Sequence, residues 1–154
     1  MIKFIELIKN CMPVVDELFP WDVEEQHPKK NFFLLDVREP YEFEIMRIKN
    51  SINVPRGILE SAVEYGYEET VPELVEARNK EVLVICRAGN RSLLAAQTMT
   101  IMGYRSAHSL QTGLKGWVDY ELELVDNQEK VVDIDTAEEY FEAKVSEKQL
   151  GPKK

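Results

Sequence analysis

Glu81–Gly103, EVLVICRAGNRSLLAAQTMTIMG, is the stretch on which the reading of the chain turns. Val82 to Ile85 is a short, mostly β-branched apolar run without alternation, the pattern of a strand buried on both faces. It runs directly into Cys86. Arg87-Ala88-Gly89-Asn90-Arg91 suits a loop, and a helix follows at once. Ser92 fits an N-cap or first-turn position. Leu94, Ala95, Thr98, Met99 and Met102 share one side at helical spacing, and Gly103 suits the C-terminal cap. A sulfur is thus expected at the C-terminal tip of a strand and the N-terminal mouth of a helix.

That placement has chemical content. The first amides of a helix lack intrahelical partners and carry a partial positive charge. A thiolate there is stabilised, so Cys86 is expected to have a lowered pKa. Arg87 and Arg91 push the same way, and Gly89 lets the loop curl so that successive N–H groups face inward as an anion nest. A lone cysteine at a strand end is commonly an inert core residue. Cysteine, two arginines, glycine and a helix start in one short segment favour a nucleophile.

The rest of the composition narrows the function. The chain has 154 residues, 44% hydrophobic and 31% charged, which suits one soluble domain. A net charge of −9 argues against nucleic acid, which wants a basic face. It also repels small anions at long range, so any anion site must be locally positive. Cys11 and Cys86, the two cysteines, make no disulfide framework. No apolar run approaches a membrane span, and MIKFIELIKNCM is a poor signal peptide, with Glu6 and Lys9 inside it. A reducing cytoplasm is the expected compartment. His27 and His108 have no ligand-like spacing to each other or to a cysteine, so no metal and no cofactor is expected.

Elsewhere the chain divides into an N-terminal helix (1–13), a central domain (14–124), and a linker with a C-terminal helix (125–154). The first helix, amphipathic over residues 2–10, is ended by Pro13 and expected to dock on its own domain. Cys11, just after it, reads as a structural thiol, with a resolving cysteine for Cys86 as the alternative. Residues 14–18 suit an edge strand, Trp21 to Gln26 a short helix, and Phe32 to Asp36 a second buried strand. A helix is expected over Tyr41 to Met46. Asp36 is expected to hold the neighbouring loop by accepting backbone or arginine hydrogen bonds. Arg38 and Glu42, at i, i+4, are expected to pair, and Asp36 and Arg38 read as scaffold. Short helices are expected at Leu59–Tyr65 and Pro72–Ala77, and a strand at Ala107–Leu110. Trp117 reads as core packing. A C-terminal helix is expected from Asp135 through Val145, with Thr136 and Glu139 at capping-box spacing, and 151–154 is expected to fray.

Several of these segments together resemble the rhodanese family of single-domain sulfurtransferases. Leu35-Asp36-Val37-Arg38-Glu39-Pro40-Tyr41-Glu42-Phe43 is similar to its upstream DVRxxxEF element, and Ile52-Asn53-Val54-Pro55-Arg56-Gly57 to the segment after it. Cys86 to Ser92 resembles the reactive loop, and Gly103-Tyr104 through Leu110, Gly113 and Trp117 the closing element. The likeness spans roughly residues 14 to 120. Met46-Arg47-Ile48 stands where the family usually has Gly-His before Ile, Ser51-Ile52 where it has Gly-Ala, and Thr112 in place of the first glycine of a pair.

The resemblance implies a three-layer α/β fold, a small parallel sheet flanked by helices, here with an extra C-terminal helix. It implies sulfane-sulfur transfer through a Cys86 persulfide, from thiosulfate or a persulfide donor to cyanide or a thiol. The main chain of Arg87, Ala88, Gly89, Asn90, Arg91 and Ser92 would bind the transferred sulfur and the donor's oxygens. Arg87 would face the donor, and Arg91 would be partly structural. A persulfide carrier or a sulfur- or redox-sensing module, served by a sulfur-relay protein, is the alternative. A cysteine phosphatase would need a longer loop between cysteine and arginine than Arg87 to Asn90.

Overall fold

The computed structural model describes residues 1–153; of the 151–154 tail expected to fray, Lys154 lies outside the described residues. Five parallel strands, β1 (Asp16–Leu18), β2 (Phe33–Asp36), β3 (Ile52–Asn53), β4 (Glu81–Ile85) and β5 (Ser106–Leu110), form one sheet in the order β1-β5-β4-β2-β3. The central strand β4 pairs with β2 from Phe33↔Val82 to Asp36↔Ile85 and with β5 from Glu81↔Ser106 to Val84↔Ser109. Parallel neighbours on both sides need helices over both faces, which is why β4 reads as an unbroken apolar run.

The side-chain alternation of the strands divides the core. Val82, Val84 and Cys86 face one layer, with α1 (Phe4–Cys11), α4 (Leu59–Ala62), α5 (Pro72–Val75) and α6 (Asn90–Ile101). Leu83, Ile85 and Leu110 face the other, with α2 (Pro20–Lys30), α7 (Gly113–Asp119) and α8 (Ile134–Phe141). The N-terminal helix therefore docks on its own domain, burying Ile8 and Cys11 against the α6 layer. Helices α3 (Pro40–Ile45) and α9 (Glu147–Leu150) complete the set.

Some boundaries moved, each for a physical reason. Helix α2 continues past Gln26 to Lys30 with Pro28 inside it, and stops where Asn31 turns left-handed at φ 48. Helices α4 and α5 are single turns, shorter than their apolar spacing implied. The C-terminal helix starts at Ile134, because the Asp133 carboxylate accepts a hydrogen bond from the Thr136 N–H, so Asp133 and not a Thr136/Glu139 box is the cap. It ends at Phe141, four residues before Val145. This helix is part of the core, since Ala137 and Phe141 are buried beside Leu114 and Val118.

Candidate active site

Cys86 follows β4 directly, and Gly89, at φ 97, is the N-cap of α6. The helix thus starts at Asn90, earlier than expected, and Ser92 lies buried inside its first turn. At the other end Gly103, at φ 97, closes the helix in a Schellman arrangement, with Gly103 N donating to Thr100 O and Tyr104 N to Met99 O. Curling the loop brings two main-chain donors onto the sulfur. Gly89 N lies 3.1 Å and Ser92 N 3.2 Å from Cys86 Sγ. The amides that bond Sγ are thus those of Gly89 and Ser92 rather than the whole run from Arg87 to Ser92. Asn90 contributes as the first helical residue, while Ala88 and Asn90 line the cleft above the sulfur.

A side-chain relay lies behind the sulfur. Sγ is 3.2 Å from Ser92 Oγ, which is 2.8 Å from Ser109 Oγ and 3.2 Å from Gly89 O. As a thiol, Cys86 donates to Ser92 Oγ. Once ionised it accepts from that hydroxyl, which Ser109 then supplies. Helix α7 supports the loop from behind, with Leu114 N donating to Cys86 O (2.9 Å) and Lys115 N to Arg87 O (3.0 Å). Its approach requires Gly113, where a Cβ would sit 2.5 Å from the Arg87 carbonyl carbon. Thr112, in the position of the family's first glycine, takes a left-handed φ of 70 as the N-cap of α7. Its side chain fills the space that a Cβ on Gly116 would need, 1.7 Å from Thr112 Oγ1.

Cys86 is 1% exposed, yet it is not enclosed by hydrocarbon. It lines a cleft of about 310 Å³ with Phe4, Arg87, Ala88, Asn90 and Arg91. Phe4, brought there by α1, is a wall that the sequence did not signal.

The charged residues are arranged differently from expectation. Arg38 does not pair with Glu42. It is wholly buried against Asp36, which accepts from Arg38 N (3.0 Å), Nε (3.0 and 3.1 Å) and Nη2 (2.8 Å), while Nη2 also donates to Met46 O. Asp36 therefore takes both backbone and arginine hydrogen bonds, as scaffold. Glu42 instead faces the loop, and its two oxygens accept from Arg91 Nη1 at 2.8 Å and Nη2 at 2.9 Å. Burial pushes the Glu42 carboxyl up, but the hydrogen bonds of Arg91 and the Glu39 N–H, with the charges of Arg91 and Arg38, outweigh it and hold the group below the usual carboxylate range. Arg87 turns away from the expected donor position: its Nη2 donates to Glu142 O at 3.0 Å and Tyr140 O at 3.4 Å. Arg47 lies elsewhere, over the Phe43 ring and hydrogen-bonded to Asn127.

The remaining candidates have structural surroundings. Cys11 Sγ donates to Gln97 Oε1 (3.3 Å) and Leu7 O (3.5 Å). His108 pairs with Glu81 at 2.7 Å, and His27 Nδ1 accepts from Phe32 N. Trp117 is half-buried against the second core, its Nε1 donating to Glu123 O. Among the described residues no group of three or more His, Cys, Asp or Glu could hold a metal ion, and no helix is long and apolar enough to cross a membrane.

A parallel α/β sheet with a strand-tip cysteine held by two main-chain amides defines a class of cysteine-centred domains that stabilise an anionic sulfur. Residues 20–120 match the Rhodanese-like domain, and the chain belongs to that family of sulfurtransferases and sulfur carriers. It is 35% identical over 99 residues to the adenylyltransferase and sulfurtransferase MOCS3 of Drosophila virilis, a match covering 64% of this chain and 21% of the relative. The chain thus spans about a fifth of the length of that curated relative. Two solved structures share the fold. The human single domain sulfurtransferase TSTD1 has a TM-score of 0.59 at 22% identity, covering 68% of this chain and 96% of that one. The thiosulfate sulfurtransferase of Pseudomonas aeruginosa has 0.63 at 21%, covering 88% and 25%.

Proposed function

We propose that this protein is a sulfurtransferase in which Cys86 accepts sulfane sulfur from thiosulfate or a persulfide and passes it to a thiophilic acceptor, cyanide or a thiol. The observation that carries the reading is the pair of amides, Gly89 N and Ser92 N, on a cysteine that lines an open cleft. In the first step the Cys86 thiolate attacks the outer sulfur of the donor. The Sγ–S bond forms, the donor's S–S bond breaks, and its electron pair leaves with sulfite or a thiolate. In the second step the acceptor attacks the outer sulfur of the Cys86 persulfide, and the thiolate is regenerated. The amides stabilise anionic sulfur in both halves of the cycle; before attack the thiol donates a hydrogen bond to Ser92 Oγ, which Ser109 Oγ supports, and its proton passes to solvent as the thiolate forms. Asp36 and Arg38 act only as scaffold. The domain comprises residues 14–124, with α1 and the 125–154 segment as additions that shape its mouth. The setting that fits a free nucleophilic thiol is a reducing one, the cytoplasm.

A second reading makes the domain a persulfide carrier or a sulfur- or redox-sensing module, loaded by a partner protein with little turnover of its own. The likeness to YrkF of Bacillus subtilis, named as a putative sulfur carrier protein and 33% identical over 84 residues, supports it. Steady-state release of thiocyanate from cyanide, measured with small sulfane donors, separates the two. Turnover that disappears in Cys86→Ser supports the enzyme. Loading of Cys86 only from a persulfidated protein supports the carrier.

A further inference from the structure

Ser109 carries a hydroxyl whose proton has a single destination. The residue is wholly buried on β5, and among the described residues its Oγ meets one hydrogen-bond partner, Ser92 Oγ at 2.8 Å. A buried O–H without an acceptor is costly, so Ser109 donates to Ser92. The Ser92 proton is left with two acceptors, Gly89 O and Cys86 Sγ, each 3.2 Å away. In the thiol state the S–H donates to Ser92 Oγ, and the Ser92 O–H rests on Gly89 O. In the thiolate state the Ser92 O–H turns to Sγ, a third donor beside the amides of Gly89 and Ser92. The turn does not orphan Gly89 O, because Leu93 N still donates to it at 3.3 Å.

We infer, on the reading that Cys86 is the sulfur-carrying nucleophile, that Ser109 is a positioning residue which, acting through Ser92, favours the ionised sulfur over the protonated one. The two states use it unequally. With Cys86 protonated, Ser92 Oγ accepts from both the S–H and Ser109. With Cys86 ionised, Ser109 is the donor that remains to it. Removing Ser109 therefore orphans Ser92 Oγ in the thiolate state alone, and it weakens the Ser92 O–H as a donor to sulfur, since hydrogen bonds in a chain polarise one another. The proton given up by Cys86 leaves to solvent, and both serines keep their own. The charged surroundings of Cys86 do not depend on Ser109. The loop and α6 bring Arg87 and Arg91, α3 brings Glu42 against Arg91, α8 brings Tyr140 and the Glu142 carbonyl against Arg87, and β2 brings Asp36, held by Arg38. Helix α1 contributes Phe4, and α7 the Leu114 N–H on Cys86 O.

The test follows alkylation of the Cys86 peptide by iodoacetamide in the full chain, from about pH 5 to about pH 10, in wild type and Ser109→Ala. The variant reaches its half-maximal rate at a higher pH, and below that point it reacts about three- to tenfold more slowly. On the alkaline plateau the order reverses: the less stabilised thiolate is the better nucleophile, and the variant is up to about threefold faster. A loop that had merely shifted would slow the reaction by one factor at every pH. In a Ser92→Ala background, Ser109→Ala changes the profile no further, because its path to the sulfur is gone. An unmoved profile, a uniform slowing, or an equal effect in the Ser92→Ala background overturns the inference and leaves sulfur transfer standing. Should Ser109→Ala not fold, Ser109→Cys, close in size and a weaker donor, moves the profile the same way by less, and an unmoved profile there refutes the inference too. A wild-type Cys86 that is alkylated at no pH would instead overturn the reading of Cys86 as the nucleophile, and this inference with it.

Discussion

The two cysteines of this chain are equally hidden and oppositely surrounded. Cys11 and Cys86 are each 1% exposed, and both belong to the core layer under α6. Cys11 sits against two acceptors, Leu7 O and Gln97 Oε1, to which only a protonated thiol can donate. Burial pushes that thiol's pKa up. Cys86 sits against two donors, the amides of Gly89 and Ser92, which favour a sulfur bearing negative charge. Burial alone therefore says little about a cysteine's chemistry. The polarity of its hydrogen-bond partners, and an opening on one side, decide whether it is filler or nucleophile.

The comparison breaks most sharply by substitution at each sulfur. Cys86→Ser is expected to lower sulfur transfer by at least about 10³-fold, whereas Cys11→Ser keeps it within about twofold; thiocyanate release measures both. Gly113→Ala comes next. Its Cβ would sit 2.5–2.6 Å from the Arg87–Ala88 main chain, at a φ of 60. A loss of roughly 2–3 kcal/mol in urea unfolding is expected, with the Cys86 loop displaced and loading impaired. Ser92→Ala keeps the amide but removes the hydroxyl between Cys86 and Ser109, and about a tenfold slower loading is expected by stopped-flow or quench.

Acidity separates the two regions more gently. Glu42 has its folded pKa depressed, so the stability it contributes is fully present above the ordinary carboxylate range near 4.5 and is lost as pH falls through its lower folded value. Cys11 has its folded pKa raised, so its contribution is fully present below the ordinary thiol value near 9.0 and is lost as pH rises through the folded value. Thermal melts of wild type and Cys11→Ala should run parallel as pH falls and diverge as it rises: the variant keeps the acid loss and lacks the alkaline one.

What the sequence disclosed depended on distance along the chain. The strand, cysteine, loop and helix of residues 81–103 are contiguous, so buried-strand pattern, glycine and helical spacing marked them directly. The Glu42–Arg91 pair was hidden because its partners are 49 residues apart and Arg38 stood nearer at helical spacing. Arg38 in fact lies before α3 begins, in a bend just past the end of β2, and so it folds back on Asp36. The destination of Arg87 left no trace, since main-chain carbonyls carry no residue type. Ser109 had only the alternation of β5 to recommend it. Asp133 did carry a cap signal, three residues before Thr136, but the apolar run Val131 to Ile134 obscured it.

The most direct test is the mass of the Cys86 peptide after the protein has met a sulfane donor and been digested without reductant. A gain of about 32 Da confined to that peptide, absent from the Cys11 peptide and removed by cyanide as thiocyanate, is the predicted result. Sulfur found on Cys11 instead, or on neither cysteine, would contradict the account.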